Sequence, residues 1–157
     1  MLTAMRILEN RIPPPIVAVM IGAAMWAVSR ITPSVPINGR LRFALPAAFA
    51  ACGFCLAAMG IIAFRRVRTT TNPVKVEQAS SVVTMGVYGR TRNPMYLGLM
   101  FLLTGWTIYL AAPWAILGPV LFVLFTTRFQ IVPEERALTA KFGSEYTDYQ
   151  SRVRRWL

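Results

Sequence analysis

Histidine is absent from the 157-residue chain, and acidic residues number six against seventeen lysines and arginines. Without histidine no side chain titrates near neutrality by its ordinary pKa, so any role that needs a histidine proton is excluded. The only cysteines, Cys52 and Cys55, are separated by two residues in an apolar stretch, with no histidine to complete a metal site. They read as small residues buried in helix packing. Charge is also missing from long tracts. Phe43 to Phe64 contains no charged side chain, and Asn93 to Thr127 contains none either.

What is present is apolar: 55% of the residues are hydrophobic, beside a formal net charge of +11. A soluble domain interleaves the two, whereas here they are segregated. The Asn93–Thr127 tract would measure about 52 Å as one helix, against a hydrocarbon core of about 30 Å. Ala112-Pro113-Trp114 suits a turn within it, which gives spans at roughly 94–111 and 114–130. With 43–64 and a shorter span at 14–31, the expectation is an all-α polytopic membrane bundle of about four transmembrane helices and a helical cytoplasmic tail. The first apolar stretch follows Glu9, Arg11 and three prolines and has no clear cleavage site, so it reads as a span rather than a cleaved signal.

Basic residues orient the bundle. No lysine or arginine stands at the Pro113 turn, which therefore faces away from the cytoplasm. Both termini then lie inside, with 14 of the 17 basic residues on the cytoplasmic side and Arg30, Arg40 and Arg42 opposite. Basic flanks facing anionic lipid account for the high pI, so no nucleic-acid partner is needed. A bacterial inner membrane fits this pattern.

The chain divides into an N-terminal helix pair, residues 1–64, and a more polar part, 65–157. The connection from Arg65 to Arg92 is long and polar, as functional loops often are. Its Val82, Val83 and Val87 suit contact with the bilayer. Pro133-Glu134-Glu135 reads as a helix start. Gly143 should end that helix in the left-handed conformation, and Ser144 should cap another in which Tyr146, Tyr149 and Val153 share a face. Trp156 suits the membrane interface.

The segment "GRTRNPMYLG", residues 89–98, concentrates the polar chemistry. Asn93 is a good N-cap and Pro94 is suited to the first helical position. Arg92 adds a charge beside the positive helix end, and Tyr96 shares its face. The group suits a carboxylate or phosphate. A plain membrane flank with an interfacial aromatic would account for Arg90, Arg92 and Tyr96 equally. Arg128 ends the fourth span, and the hairpin returns it to the same membrane face as Asn93. Glu134 and Glu135, two of six acids, follow closely. They could hold an ammonium or ribose hydroxyls, or merely complement a helix dipole.

Together, "GVYGRTRNPMYLG" and "PEERALTAKFGSEYTDYQSRVRRWL" resemble the isoprenylcysteine carboxyl methyltransferase family of integral membrane enzymes, related to phospholipid N-methyltransferases. The similarity runs from about Thr70 to Leu157. It implies an S-adenosylmethionine site lined by Tyr88, Arg92, Asn93, Pro94 and Tyr96 and closed by Glu134, Glu135 and the tail. Arg128 would lie near the methyl acceptor, with Arg128 and Glu135 as the catalytic candidates and no metal. Asn93 stands where the commoner family pattern has histidine; it can cap or donate one hydrogen bond but cannot titrate near neutrality. Tyr146 and Tyr149 match the tail pattern.

A carboxylate acceptor is already ionised at neutral pH and needs no base, so the lack of histidine favours O-methylation of an acid. The expected activity is carboxyl methylation of an isoprenylcysteine-like or other lipophilic acceptor that enters from the bilayer. A phospholipid or amine N-methyltransferase is the enzymatic alternative, with a nucleotide-dependent reductase behind it. A small membrane subunit or transporter fragment is the alternative without catalysis. Neither the oligomeric state nor the acceptor's identity follows from the residues.

Overall fold

The computed structural model describes Glu9 and residues 11–67 and 81–157. Every regular element among them is helical. The chain forms α1 (Pro14–Ile31), α2 (Gly39–Val67), a 3-10 turn (Gly86–Gly89) and α3 (Pro94–Leu110). A second 3-10 turn (Pro113–Ile116), α4 (Leu117–Thr126), α5 (Val132–Phe142) and α6 (Ser144–Arg152) follow. Helices α1, α2 and the helical run from Pro113 to Phe142 are long and apolar enough to cross a membrane, and α3 is a shorter apolar helix of 17 residues. The protein is an integral membrane helical bundle.

Helix α2 begins and ends beyond the charge-free tract. Its 29 residues span about 44 Å, so Arg40 and Arg42 at one end and Arg65 and Arg66 at the other can reach past the hydrocarbon. Helix α3 is the centre of the bundle. Helix α2 packs along one side of it, and α1 and α4 along the other. Helices α1 and α2 therefore share α3 as a common partner.

Glycines allow the α2–α3 approach. A Cβ at Gly98 would stand 2.5 Å from the Gly53 carbonyl oxygen, and one at Gly53 would stand 2.7 Å from that of Gly98. Small residues of this kind let backbones meet where the lipid gives no hydrophobic drive. Cys52 and Cys55, which flank Gly53, are exposed on the outer side of α2. The expected cysteine packing is thus corrected: the glycine between them makes the contact. On the other side of α3, Met25, Leu103 and Phe122 join α1, α3 and α4 in one apolar core. Trp106 donates its indole N–H to the Gly22 carbonyl at 3.1 Å, so this donor is not left bare in lipid.

The expected turn at Pro113 is present, and Ala111 reverses the chain with φ 53°. At that end Val35 donates its N–H to the Ala111 carbonyl at 2.8 Å, and Arg42 donates Nε–H to the Tyr109 carbonyl at 2.9 Å.

The expected helix start is present in that α5 opens at Val132 with Pro133, Glu134 and Glu135 in its first turn, but it is not a free start. Helix α4 runs into α5 through a single wide π-turn, Thr127–Ile131, in which the Val132 N–H bonds to the Thr127 carbonyl. Proline lacks an N–H and clashes with the carbonyl four residues earlier, and a π-turn relieves that crowding without breaking the rod. A run of 30 residues measures about 45 Å, while about 20 residues cross the core, so Glu134 and Glu135 emerge beyond it.

Gly143 ends α5 with φ 56° and ψ −126°, a positive φ but not the left-handed helical conformation expected. Ser144 is the first residue of α6 and makes no cap. Tyr146, Tyr149 and Val153 do share a buried face. Val82 packs on that face. It therefore contacts the tail. The stretch 68–80 of the expected functional connection lies outside the described residues.

Candidate functional site

At the head of α3 the chain holds its own tail. Tyr88, on the first 3-10 turn, is buried with its ring 5.3 Å from that of Phe64. Its carbonyl accepts the Tyr149 hydroxyl at 2.8 Å. Burial pushes the phenols of Tyr88, Tyr146 and Tyr149 upward, so all three stay neutral. Pro94 occupies the first helical position as expected.

Asn93 sits at the cap position, yet its side chain makes no cap bond. Its Nδ2 donates instead to the Arg155 carbonyl at 3.0 Å. Thr91, 2% exposed, donates to that same oxygen at 3.4 Å and accepts the Asn93 N–H at 3.3 Å. The expected capping role is therefore corrected: residue 93 ties the tail to the helix head.

Arg92 ties it more firmly. One guanidinium nitrogen, Nη1, donates to the carbonyls of Gln150 at 2.9 Å and Val153 at 3.0 Å. The other, Nη2, reaches Glu135 Oε1 at 2.8 Å, and the Arg92 N–H reaches the Arg154 carbonyl at 3.0 Å. Only Nε is buried without a partner. The guanidinium that was expected to await a ligand anion holds an acid of the protein.

The two adjacent glutamates have opposite surroundings. Glu135 is neutralised twice: Arg155 donates Nε–H to Oε1 at 3.0 Å and Nη2–H to Oε2 at 2.6 Å, beside the Arg92 contact. Among the described residues Glu134 meets no cation. Its carboxyl accepts a hydrogen bond from the Tyr96 hydroxyl, at 2.7 Å. Burial, with Glu135 next to it, pushes the Glu134 carboxyl up to about 7 against the opposing pull of Tyr96. Adjacent carboxyls held apart in this way are a recurrent arrangement in sites that bind cations or move protons.

Arg128 stands elsewhere. It donates to Glu9 at 3.2 Å, and Arg136 donates to the other oxygen of Glu9 at 2.9 Å. No hydrogen bond or ion pair joins Arg128 to Arg92, Glu134 or Glu135 among the described residues. The structure thus brings together Tyr88, Arg92, Asn93, Pro94, Tyr96, Glu134 and Glu135, and sets Arg128 apart. Sequence reasoning missed Thr91 and Arg155. A threonine in a polar loop and one arginine of a basic tail give no signal of their own.

A family model described as phospholipid methyltransferase matches residues 41–145. The chain belongs to the phospholipid methyltransferase family. It is a membrane methyltransferase, of a family related to the isoprenylcysteine carboxyl methyltransferases. The phospholipid methyltransferase match begins within α2 and stops at Glu145. It covers every residue from Tyr88 to Glu135 named above and leaves out Tyr149 and Arg155. The resemblance noted from the motifs lay further toward the C-terminus. An uncharacterized protein of Haemophilus influenzae is 48% identical over 63 residues, which is 40% of this chain and all of that protein.

Proposed function

We propose that the chain transfers a methyl group from S-adenosylmethionine to a lipophilic acceptor at the cytoplasmic face of the membrane. Members of the family typically use that cofactor. The observation that carries the reading is Glu134, a carboxyl with a tyrosine partner and, among the described residues, no cation, beside a glutamate that has two. S-adenosylmethionine supplies, when bound, a methyl group on a positively charged sulfur, and it also bears an ammonium. Both charges fit an unneutralised carboxylate at a dry, partly enclosed end of a helix bundle.

The remaining residues position. Arg92 and Asn93 fasten the tail over the head of α3, where Tyr96 is buried and Glu134 half-buried. Methyl displacement gains mainly from such positioning and exclusion of water. Arg128 and Glu135 were the catalytic candidates. Here Glu135 is best read as the anchor of Arg92 and Arg155, and Glu134 as the group that meets the ligand. No cluster of metal-ligating side chains occurs among the described residues.

For the acceptor, an isoprenylcysteine-like carboxylate needs no base and suits a site without histidine. A lipid amine is the second reading, and Glu134 favours it: a carboxyl pushed up to about 7 can take an ammonium proton. The acceptor, a small lipophile or a prenylated peptide, would come from the bilayer and the cofactor from the cytoplasm.

The test is calorimetric titration of purified protein with S-adenosylmethionine, followed by transfer of labelled methyl to an S-farnesylcysteine and to phosphatidylethanolamine. Micromolar binding and label in one acceptor are expected. No binding of the cofactor would overturn the reading and return the chain to a non-catalytic membrane subunit.

A further inference from the structure

The C-terminal segment, α6 with residues 153–157, has the parts of a hinged strap. Its pivot is Gly143. Helices α5 and α6 abut there without a loop, and the one residue between them has φ 56° and ψ −126°. Glycine alone adopts that backbone conformation without strain. Gly143 is exposed, and a Cβ added to it would meet nothing within 4 Å. The direction of α6 thus depends on one residue's backbone and not on packing around it.

Beyond the pivot the strap covers the head of α3. Arg92 and Asn93 donate to the carbonyls of Gln150, Val153, Arg154 and Arg155, and Tyr149 donates to that of Tyr88. Beneath these bonds Tyr88 is 5% exposed, Tyr96 9% and the Arg92 side chain 11%. The polar groups that the cofactor reading places around Glu134 are therefore engaged by the strap.

Among the described residues the strap makes one ion pair, Arg155 to Glu135 at 2.6 Å. Arg155 is its outer member, with a side chain 36% exposed against 12% for Glu135. Taking one partner from a buried pair is ordinarily destabilising because it strands a charge. Here Glu135 is shared with Arg92, at 2.8 Å. The departure of Arg155 leaves Glu135 paired and delivers a guanidinium to water. Such a catch can open without stranding a charge.

We propose that the segment from Ser144 to Leu157 is a gate that swings about Gly143 to let the cofactor reach Glu134, and that Arg155 on Glu135 is the catch that holds it shut. The proposal rests on the methyltransferase reading and adds to it the step that limits cofactor entry. All of the strap after Glu145 lies beyond the family match. Once a ligand is inside, the same catch slows its escape. Weakening the catch therefore speeds entry and exit alike and changes affinity less than either rate.

The experiment is stopped-flow tryptophan fluorescence of the detergent-solubilised full chain mixed with S-adenosylmethionine, with folding checked by circular dichroism. Arg155→Gln should raise the association and dissociation rates about three- to tenfold, as befits loss of a two-pronged, half-exposed ion pair. Arg155→Lys keeps the charge but not the fork, and should fall between. Gly143→Ala penalises the closed backbone and should speed both rates too, and it decides the matter if Arg155→Gln does not fold. Arg152, which donates to the Asp148 carbonyl within α6, is the control, and Arg152→Gln should match the wild type. A merely structural role for Arg155 predicts slower association and weaker binding instead. Unchanged or slower association in either folded variant, with the cofactor still bound, overturns the gate and leaves the methyltransferase reading standing. Absence of binding in the wild type overturns that reading, and the gate falls with it.

Discussion

At residue 92 a charge-conserving change separates a clamp from a membrane flank. Lysine keeps the charge but cannot reach two tail carbonyls and Glu135 from one ammonium. Arg92→Lys should therefore release the tail, and loss of charge-assisted bonds worth about 1.5–3 kcal/mol each should weaken cofactor binding at least tenfold. Chymotryptic cleavage after Tyr146 and Tyr149 checks this, and a wild-type cleavage rate in the variant would mean that Arg92 serves topology alone. Glu134 predicts a pH dependence. Its carboxyl is pushed up to about 7 in the folded protein from an ordinary 4.5, so the folded state holds the proton more tightly than the unfolded one. The stability this confers is complete below about pH 4.5 and is lost as the pH rises through about 7. The melting temperature of the wild type, taken relative to Glu134→Gln, should fall across pH 5 to 8. A difference that stays flat, or that rises, would show the carboxyl ionised throughout.

Elements were legible where charge or its absence marked them. The tracts without charge predicted four apolar helices, and each is present. Pro133 and the acids after it do mark the first turn of α5, but the π-turn that joins α5 to α4 without a break leaves no pattern of its own. Asn93 is similar: the cap position is right, but a tail carbonyl 62 residues away competes for its side chain. The cysteines were misplaced because 3.6-residue periodicity is invisible in a tract that is apolar all round. Of the site, the motif residues were legible as a group, while their pairing was not, since pairing depends on the path of the tail. The glycine contact supplies the test at this scale. Gly98→Ala would put a methyl 2.5 Å from the Gly53 carbonyl oxygen, on backbone that cannot swing aside. It should cost roughly 1–3 kcal/mol by overpacking. Thermal unfolding in detergent should show a clear drop for Gly98→Ala and almost none for Cys52→Ala on the exposed side of the same helix.

For the whole molecule the decisive quantity is which side of the membrane each end of the bundle faces. Glu9 pairs with Arg128, and Arg155 pairs with Glu135, so the first and last described segments meet the same end of the long helix. That agrees with an even number of crossings. Arg30, Arg40 and Arg42 belong to the other end, with the Pro113 turn. The bias of 14 basic residues to 3 then predicts that the end with the tail and Glu134 is cytoplasmic. Trp114, 62% exposed at the turn, is a suitable reporter. Replacing Cys52 and Cys55 by alanine gives a cysteine-free background at little cost, because both lie exposed. In that background Trp114→Cys should react with an impermeant maleimide added to intact cells, and Leu157→Cys should react only after the cells are opened. The outcome also bears on function, since S-adenosylmethionine is supplied from the cytoplasm. Labelling of Leu157→Cys in intact cells, with Trp114→Cys protected, would turn the bundle over. Glu134 would then face the wrong compartment for the cofactor proposed for it.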